Sequence, residues 1–210
     1  IGATKHWVLL EPKRSWNPLD RLAASAQQKV FNEAVVRALA GGPVDLSIPG
    51  ARSVCRRVDS LAGSSDYLGL NYYTRWMVTL FGKDSRSAKR GAPVSDLGWE
   101  IYPDGIERAI AAAGAYGLPL VITESGIADG ADRWRGDFIR RTLAAVDRAR
   151  AAGAAVRGYF AWSLMDNFEW AEGYEGRFGL YAVDFEHPEG PRRLRESARI
   201  LAAEISKRRA

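Results

Sequence analysis

Residues that build metal centres and nucleophilic triads are scarce in this sequence. It has one cysteine, Cys55, which excludes an internal disulfide and a cysteine-based metal cluster. Its two histidines, His6 and His187, are too few for a histidine-rich metal site, and neither an H-E-x-x-H motif nor a Ser-His-Asp arrangement is suggested. Asp129 and Asp132 lack the rest of a calcium loop and are interpreted as turn residues. We therefore predict neither a metal nor a cofactor.

Long apolar runs are missing as well. No stretch approaches the roughly 18 residues that a membrane span needs, so we expect no membrane association. The opening "IGATKHWVLL" lacks the charged region, longer apolar core and small-residue site of a signal peptide, which favours a cytoplasmic location. The sequence begins without methionine and resembles a strand entered in mid-protein, so we expect a truncated or processed chain.

Charge of one sign is not concentrated in any part of the chain. The formal net charge is +5, which could indicate an anionic partner. The arginines are nevertheless scattered, and acidic residues such as Asp147, Glu196 and Glu204 interrupt the basic segments. Because the sequence also lacks a zinc-finger or RNA-binding signature, we interpret the basic residues as a solvated surface and expect no nucleic-acid partner.

Strand-like and helix-like segments alternate along the chain. The segment 1–10 is strand-like, and Asn17 followed by Pro18 predicts a helix N-cap with proline at the first helical position. Apolar residues then recur at helical spacing until Gly41. Further strands are predicted at 66–74, 118–123 and 156–166, and further helices beginning at Pro103, carrying Ile139, Leu143 and Val146, and carrying Leu194, Ala198, Leu201 and Ile205.

The alternation predicts an α/β fold with four βα units and no linker that would divide residues 1–210 into domains. Four units cannot close the eight-stranded barrel that this class most often forms. An open doubly wound sheet is the alternative. No strand is followed by the G-x-G-x-x-G turn or the P-loop of a nucleotide site, so nucleotide binding has little support.

One predicted strand ends on a carboxylate. In "LPLVITESGIADG", at 118–130, residues 118–123 form the short continuous apolar run that is typical of a buried parallel strand. Glu124 follows where the strand opens into a loop. In parallel α/β folds that edge is where ligands bind, so Glu124 is a candidate catalytic carboxylate.

Aromatic and acidic residues are concentrated in the segment 157–185. They include Trp162, Phe168, Glu169, Trp170, Tyr174 and Phe178. Aromatic faces stack on the C–H faces of a sugar ring, and carboxylates accept hydrogen bonds from pairs of hydroxyl groups, so this mixture suits a carbohydrate pocket. An aromatic core beneath a long loop explains this segment equally well, because aromatic residues are common in strands.

Several motifs follow one another in a defined order. They are "LGLNYYT" at 68–74, "YPDGI" at 102–106, "PLVITESG" at 119–126, "GYFAWSLMDNFEWAEGY" at 158–174 and "RFGLYAVDF" at 177–185. Together they resemble glycoside hydrolase family 1, the β-glucosidase family, with a weaker match over 1–65. The resemblance implies a (β/α)8 TIM-barrel fold of which this chain supplies barrel strands 5 to 8, as a single domain forming the C-terminal half.

The resemblance also implies roles for residues around the candidate carboxylate. Glu124 matches the nucleophile of the family's Thr-Glu-Asn-Gly motif, which is written Thr123, Glu124, Ser125, Gly126 in this chain. The serine is a departure that bears on hydrogen bonding near the nucleophile. Tyr73 matches the tyrosine whose hydroxyl bonds that carboxylate and favours its ionised form.

The remaining matches concern the sugar. Glu169 and Trp170 match the pair that reads the 4- and 6-hydroxyl groups, Trp162 the stacking platform, and Phe178 a wall of the same subsite. The implied activity is that of a retaining β-glycosidase, which hydrolyses a terminal β-linked neutral hexose through a covalent glycosyl-enzyme intermediate. The expected substrate is a β-glucoside or an oligosaccharide.

Such a mechanism needs a second carboxylate about 5 to 5.5 Å from the nucleophile. In the family this acid/base lies in an Asn-Glu-Pro motif at the end of the fourth barrel strand, and the sequence has no such motif. Glu11 precedes a proline at a strand end, but it follows Leu10 instead of asparagine and is interpreted as a loop carboxylate. The "NEA" at 32–34 falls within a helix.

The missing acid/base shapes the expected behaviour of the chain. We expect it to be inactive or very weak alone and to need an N-terminal half-barrel polypeptide. Self-association through open sheet edges is the other expected partnership, since unpaired edge strands tend to associate. The alternative function is a non-catalytic half-barrel that binds sugar or serves assembly.

Overall fold

The computed structural model describes residues 1–47, 53–81, 86–187 and 189–209. Helices and parallel strands alternate along these residues, as the sequence predicts. Within the described ranges, no helix is both long enough and apolar enough to cross a membrane.

The central sheet has four strands that are all parallel and lie side by side in chain order. They are β1 (Gly2–His6), β2 (Tyr67–Tyr72), β3 (Leu120–Ser125) and β4 (Val156–Ala161). Parallel neighbours require crossover connections, and helices lie within the connections here. The carboxyl ends of all four strands therefore lie at the same edge of the sheet.

The α-helices of the described residues are α1 (Pro18–Gln27), α2 (Ala34–Leu39), α3 (Gly105–Gly114), α4 (Arg135–Ala151) and α5 (Glu196–Arg209). A π-helix, Gln28–Glu33, joins α1 to α2. The predicted start of the first helix is confirmed, because the Asn17 side chain accepts a 2.9 Å hydrogen bond from the Leu19 N–H and Pro18 is the first helical residue.

Short strands and 3-10 helices lie outside the central sheet. The short strands are Leu9–Pro12, Val44–Asp45, Cys55–Arg56, Arg75–Val78, Arg86–Ser87, Tyr181–Val183 and Arg192–Leu194, and the 3-10 helices are Asp59–Leu61 and Trp170–Glu172. Leu9–Pro12 and Arg75–Val78 pair in parallel, so they continue the pairing of β1 with β2 after a break.

The main core lies between the sheet and the helices that pack against it, and it includes side chains from α2, α3 and α4. Some of its members in β2, β3 and α3 are at most 1% exposed: Leu68, Leu70, Tyr72, Ile106, Ile110, Leu120 and Ile122. Close packing of this kind leaves β2 and β3 little freedom to shift. The packing of β2 and β3 in the core thus fixes the positions of the strand ends that carry the candidate site.

The predicted strand 1–10 is interrupted. β1 ends at His6, and pairing resumes only in Leu9–Pro12. At Val8, between them, the backbone N–H donates to Asn32 Oδ1 at 3.2 Å, and the backbone carbonyl accepts from Asn32 Nδ2 at 2.7 Å. A buried side-chain amide thus replaces a neighbouring strand at this residue. The prediction of one continuous strand was wrong for this reason.

Two other predicted boundaries move. β3 extends to Ser125, so Glu124 lies inside the strand, where its Cα partner in β2 is Asn71 after a register shift. Leu194 was predicted to lie in the last helix, but it pairs with Tyr181 in an antiparallel strand pair. The helix α5 begins only at Glu196, because strand pairing already occupies the preceding backbone.

Candidate active site

Three neighbouring strands bring predicted site residues to one edge of the sheet. Glu124 is the penultimate residue of β3, Tyr73 follows β2 directly, and Trp162 follows β4 directly. Since β2, β3 and β4 are adjacent and parallel, the three side chains start from neighbouring positions. The position at which each strand ends therefore decides which side chain it contributes to the candidate site.

Glu124 is held by a phenol. The Tyr73 hydroxyl donates a 2.5 Å hydrogen bond to Oε2 of Glu124. Burial raises the pKa of Tyr73 well above its usual value, and the bond to Glu124 adds to the rise. Tyr73 therefore remains protonated and serves as a donor. A neutral donor orients a carboxylate without cancelling its charge.

A second carboxylate lies in the loop after β4. The indole N–H of Trp162 donates to Oε1 of Glu169 at 3.1 Å. Burial raises the pKa of Glu169, hydrogen bonds from Trp162 and Asn167 oppose the rise, and the negative charge of Glu124 contributes to it. Glu169 and Glu124 are therefore near enough for the charge of one to affect the other.

Aromatic rings enclose Tyr73. Phe178, 2% exposed, meets the Tyr73 ring edge-on with 5.9 Å between centroids. Trp99 lies 5.9 Å from Tyr73 and 6.2 Å from Phe178, and Trp162 packs against the same cluster. Edge-on aromatic contacts on several sides restrict the ring, so the hydroxyl stays aimed at Glu124.

Sequence reasoning missed Trp99. This tryptophan lies between the predicted strand 66–74 and the predicted helix at Pro103. The available signal was the short alternation of Leu97, Trp99 and Ile101, which is the spacing of a strand. Its position beside Tyr73 depends on how the loop folds over the sheet, which no local pattern reveals.

The aromatic residues after β4 fall into two groups. Trp162 and Phe178 belong to the cluster around Tyr73. Trp170 is 84% exposed and lies outside that cluster, although the family resemblance groups it with Glu169. Phe168 is also exposed, at 55%. The structure therefore brings together four of the predicted sugar-facing and catalytic side chains with Glu124, and leaves Trp170 facing solvent.

The residues after Glu124 are closely packed. Ser125 is 1% exposed and adjoins Tyr159, whose pKa is raised to about 12 by burial while the Ser125 hydroxyl opposes the rise. A Cβ atom added to Gly126 would lie 2.0 Å from the backbone oxygen of Trp162. Only glycine permits this close approach of the loops that follow β3 and β4. Ser125, which stands where the family has asparagine, instead lies next to Tyr159.

Glu11 is engaged elsewhere. Its Oε2 accepts a 3.1 Å hydrogen bond from Arg75, and its Oε1 accepts one from Arg108. Arg75 also donates to the buried Glu100 at 2.7 Å. A carboxylate whose two oxygens are both bonded to guanidinium groups is a structural ion-pair partner. Glu11 lies within the short strand Leu9–Pro12, opposite Met77, so its interpretation as a loop carboxylate was wrong about the element.

The pocket offers carboxylates, a phenol, an indole N–H and ring faces. In the parts of the chain that the structure describes, no three His, Cys, Asp or Glu side chains are grouped so that they could hold a metal ion. Carboxylates accept hydrogen bonds from hydroxyl groups, and ring faces stack on C–H surfaces. The arrangement thus suits a neutral ligand rich in hydroxyl groups.

Part of this sequence is similar to known proteins. The model of glycosyl hydrolase family 1 matches residues 55–210. A β-galactosidase from Pyrococcus woesei is 40% identical over 141 residues, with coverage of 57% of this chain and 28% of the relative. A bifunctional β-D-glucosidase/β-D-fucosidase from Bifidobacterium breve is 43% identical over 155 residues, with coverage of 59% and 34%.

Solved structures that resemble this chain belong to the same class of enzyme. A solved β-glycosidase from Pyrococcus horikoshii matches with a TM-score of 0.82 and 36% identity, over 98% of this chain and 48% of that protein. The predicted fold class is confirmed, because the matching structures are TIM-barrel enzymes of which this chain covers a C-terminal portion. The chain thus spans about half the length of the solved relative.

Proposed function

The chain belongs to glycosyl hydrolase family 1, and from this premise we propose that it is the C-terminal half of a retaining β-glycosidase. The substrate is a terminal β-linked neutral hexose in a β-glucoside or oligosaccharide. The observation that carries the proposal is the hydrogen bond from Tyr73 to Glu124 at two adjacent strand ends. Relatives named β-galactosidase and β-glucosidase support the reaction class.

Glu124 is the nucleophile in this proposal. Its carboxylate attacks the anomeric carbon, and the aglycone oxygen leaves with a proton from a second carboxyl group. Water, which loses a proton to that same group, then cleaves the glycosyl ester and releases the sugar. Tyr73 supports the first step, because a fixed neutral donor aims the carboxylate while its negative charge remains available for attack.

The acid/base comes from outside this chain. Neither the sequence nor the neighbourhood of Glu124 offers a carboxylate in a matching motif, and both oxygens of Glu11 are bonded to arginines. The matched solved structure is about twice as long as this chain. We therefore propose that an N-terminal half-barrel polypeptide supplies the acid/base and that the chain alone is inactive or very weak.

Selection of the sugar depends on Glu169. A carboxylate facing the pocket accepts hydrogen bonds from neutral hydroxyl groups and repels a dianionic phosphate. Trp162 holds Glu169 through its indole N–H and presents a ring face to the sugar. Phe178 closes one wall, and Trp170 reaches the 6-hydroxyl group only if its exposed side chain turns inward when the barrel is complete.

The open sheet edges favour a second candidate role. Among the described residues, β1 pairs only with β2 and β4 only with β3 in the central sheet. Phe160 in β4 and Leu164 after it are each 61% exposed. Unpaired edges with apolar side chains invite association, so a non-catalytic assembly or sugar-binding module remains the alternative. Pairing with the N-terminal half is the association that also supplies catalysis.

A mechanism-based label tests the nucleophile. The chain is combined with the N-terminal half and treated with a 2-fluoro glucoside that carries a good leaving group, which needs little acid assistance. The glycosyl mass should map to the peptide containing "VITESG", and Glu124→Ala should abolish it. Glu11→Gln is the matched control and should label normally.

The same experiment separates the two candidate roles. Label on Glu169 or Glu11 would refute the assignment of Glu124. Complete absence of label and turnover in the combined protein would favour the assembly module. Robust cellobiose hydrolysis by the pure 210-residue chain would contradict the need for a second polypeptide.

A further inference from the structure

A buried ion pair lies behind the pocket. Asp166, 3% exposed, accepts hydrogen bonds on both oxygens from Arg195, which is 4% exposed. Arg195 Nη1 donates to Oδ1 at 2.8 Å, and Nη2 donates to Oδ2 at 3.0 Å. This two-pronged geometry fixes the relative orientation of both side chains as well as their separation.

The pair joins distant parts of the chain. Asp166 also accepts from the backbone N–H groups of Gly179 at 2.8 Å and Val183 at 3.2 Å. Arg195 donates to the backbone oxygen of Gly179 at 2.6 Å and to that of Gly130 at 3.4 Å. The loops after β3 and β4 and the residue before α5 therefore meet at these two side chains.

Gly179 transmits this arrangement to the pocket. It follows Phe178, whose ring packs against Tyr73 and whose backbone oxygen accepts a 3.2 Å hydrogen bond from the Ser163 N–H. Ser163 in turn follows Trp162, the residue that holds Glu169. A shift of Gly179 would thus move both the ring beside Tyr73 and the loop that carries Trp162.

The backbone around Gly179 is so closely packed that no side chain fits at this position. A Cβ atom there would lie 2.1 Å from the Asp166 backbone nitrogen and 2.4 Å from the backbone of Met165. The backbones on either side are therefore in direct contact. Any change in the position of the Asp166 side chain passes to Gly179 without a flexible side chain between them.

Further buried charges support the pair from the other side. Arg135, 1% exposed, donates to the backbone oxygen of Arg177 at 2.7 Å and to the Asp132 carboxylate. Asp132 accepts a 3.0 Å hydrogen bond from the N–H of Ser197, in the first turn of α5. The two aspartates interpreted as turn residues therefore connect the nucleophile loop to the last helix, since Asp129 accepts from the Arg135 N–H at 3.0 Å.

We propose that Arg195 is a positioning residue for the sugar subsite: through Asp166 it sets the place of the loop and wall that contact the sugar. The inference rests on the proposed function, because it names a residue that shapes that site. A lysine cannot replace it, since an ammonium group lacks the planar fork that binds both carboxylate oxygens and a backbone oxygen together.

The kinetic test compares two sugars with the same leaving group. In the completed enzyme, Arg195→Lys should lower kcat/KM for a glucoside about 10- to 100-fold, chiefly through KM, and for a xyloside about threefold. The xyloside lacks the hydroxymethyl group that Glu169 helps to read, so it loses less. Arg199→Lys, at an exposed pair with Glu196 in α5, is the matched control and should change neither value.

Equal losses for glucoside and xyloside, with KM unchanged, would overturn the proposal, because that pattern indicates a smaller folded fraction. If Arg195→Lys does not fold, the double variant Asp166→Asn with Arg195→Gln replaces it, because it removes both buried charges together and leaves neither uncompensated. Asparagine keeps the size and one acceptor oxygen, so the same selective loss for the glucoside is expected.

A spectroscopic readout on the 210-residue chain is independent of activity. The indole N–H resonance of Trp162, assigned through Trp162→Phe, should shift in Arg195→Lys and remain in place in Arg199→Lys. An unshifted resonance in folded Arg195→Lys would overturn the proposal and leave the proposed function intact. A shifted resonance together with label on a residue other than Glu124 would retain the positioning role and refute the proposed function.

Discussion

The carboxylates in the pocket and those behind it are held by different partners. Glu124 and Glu169 each accept a hydrogen bond from a neutral group, a phenol and an indole. Asp166 instead receives both prongs of the Arg195 guanidinium. A neutral donor orients a carboxylate and leaves its charge available, whereas a guanidinium group compensates the charge. The difference separates the carboxylates that we propose to face a ligand from the one that fixes the chain.

The same contrast appears in the pKa values of two glutamates. Burial and a nearby carboxylate raise the pKa of Glu169 in the pocket. Lys207 and Arg208 lower the pKa of Glu204 in α5 to about 2. The residue type is identical, so the neighbours decide the direction. Among the described residues, neither Glu124 nor Glu169 forms an ion pair, whereas Glu204 pairs with both Lys207 and Arg208.

The largest expected effect concerns stability. Asp166→Ala should lower the free energy of unfolding by about 3–5 kcal/mol, because it leaves the Arg195 charge buried and uncompensated. Glu124→Ala should lower it by no more than about 1–3 kcal/mol, because it leaves only the neutral Tyr73 hydroxyl without its partner. Urea unfolding of the two variants measures the contrast. Equal destabilisation would break the distinction between the two groups of carboxylates.

A smaller effect is expected for the phenol. Tyr73→Phe keeps the ring packed against Phe178 and removes only the hydrogen bond to Glu124. The kcat/KM of the completed enzyme should fall about 10- to 100-fold, as expected for loss of about 1.5–3 kcal/mol from a bond to a charged group.

The neighbouring residue offers a matched control for this substitution. Tyr72 is also buried, and its hydroxyl donates to the backbone oxygen of Tyr102 at 2.7 Å. Tyr72→Phe should lower stability with little change in kcat/KM. Similar activity losses in Tyr72→Phe and Tyr73→Phe would mean that both hydroxyls act through the fold.

The smallest expected effect is a pH dependence of sugar binding. Because the pKa of Glu169 is raised, this carboxylate takes up a proton at a higher pH than an ordinary glutamate. As the pH falls through that pKa, one acceptor for sugar hydroxyls is lost, so KM for a glucoside should rise within about tenfold. Glu169→Gln should have a higher KM that no longer depends on pH in this range. A variant that keeps the wild-type KM profile would remove Glu169 from the sugar contacts.

The local parts of the fold could be predicted from the sequence. Apolar runs and helical spacing gave the alternating elements, and the Asn17 cap was recognisable because its partner, Leu19, lies two residues away. Tyr73 and Glu124 could be paired only through the family resemblance, since they are 51 residues apart. A helix cap can be predicted from adjacent residues, whereas a contact between two strand ends depends on how the whole sheet is assembled.

Long-range polar contacts were the features that sequence reasoning missed. Arg195 and Asp166 are 29 residues apart, and Asn32 and Val8 are 24 apart. Each arginine or asparagine looks like an ordinary surface residue in the sequence. Burial turns them into partners of specific groups, because a buried polar atom must be paired. Trp99 was missed for a related reason, because the short alternation of Leu97, Trp99 and Ile101 does not reveal where the loop lies on the sheet.

The π-helix between α1 and α2 makes the length of this stretch matter as much as its composition. A π turn closes its hydrogen bonds over one more residue than an α turn. Deleting a single residue before Asn32 would rotate the following side chains by about 100° around the axis. The amide would then leave Val8 with an unpaired backbone, although every remaining residue was still a good helix former. Substitutions of exposed residues in this stretch should therefore be tolerated, whereas the deletion of one residue should not.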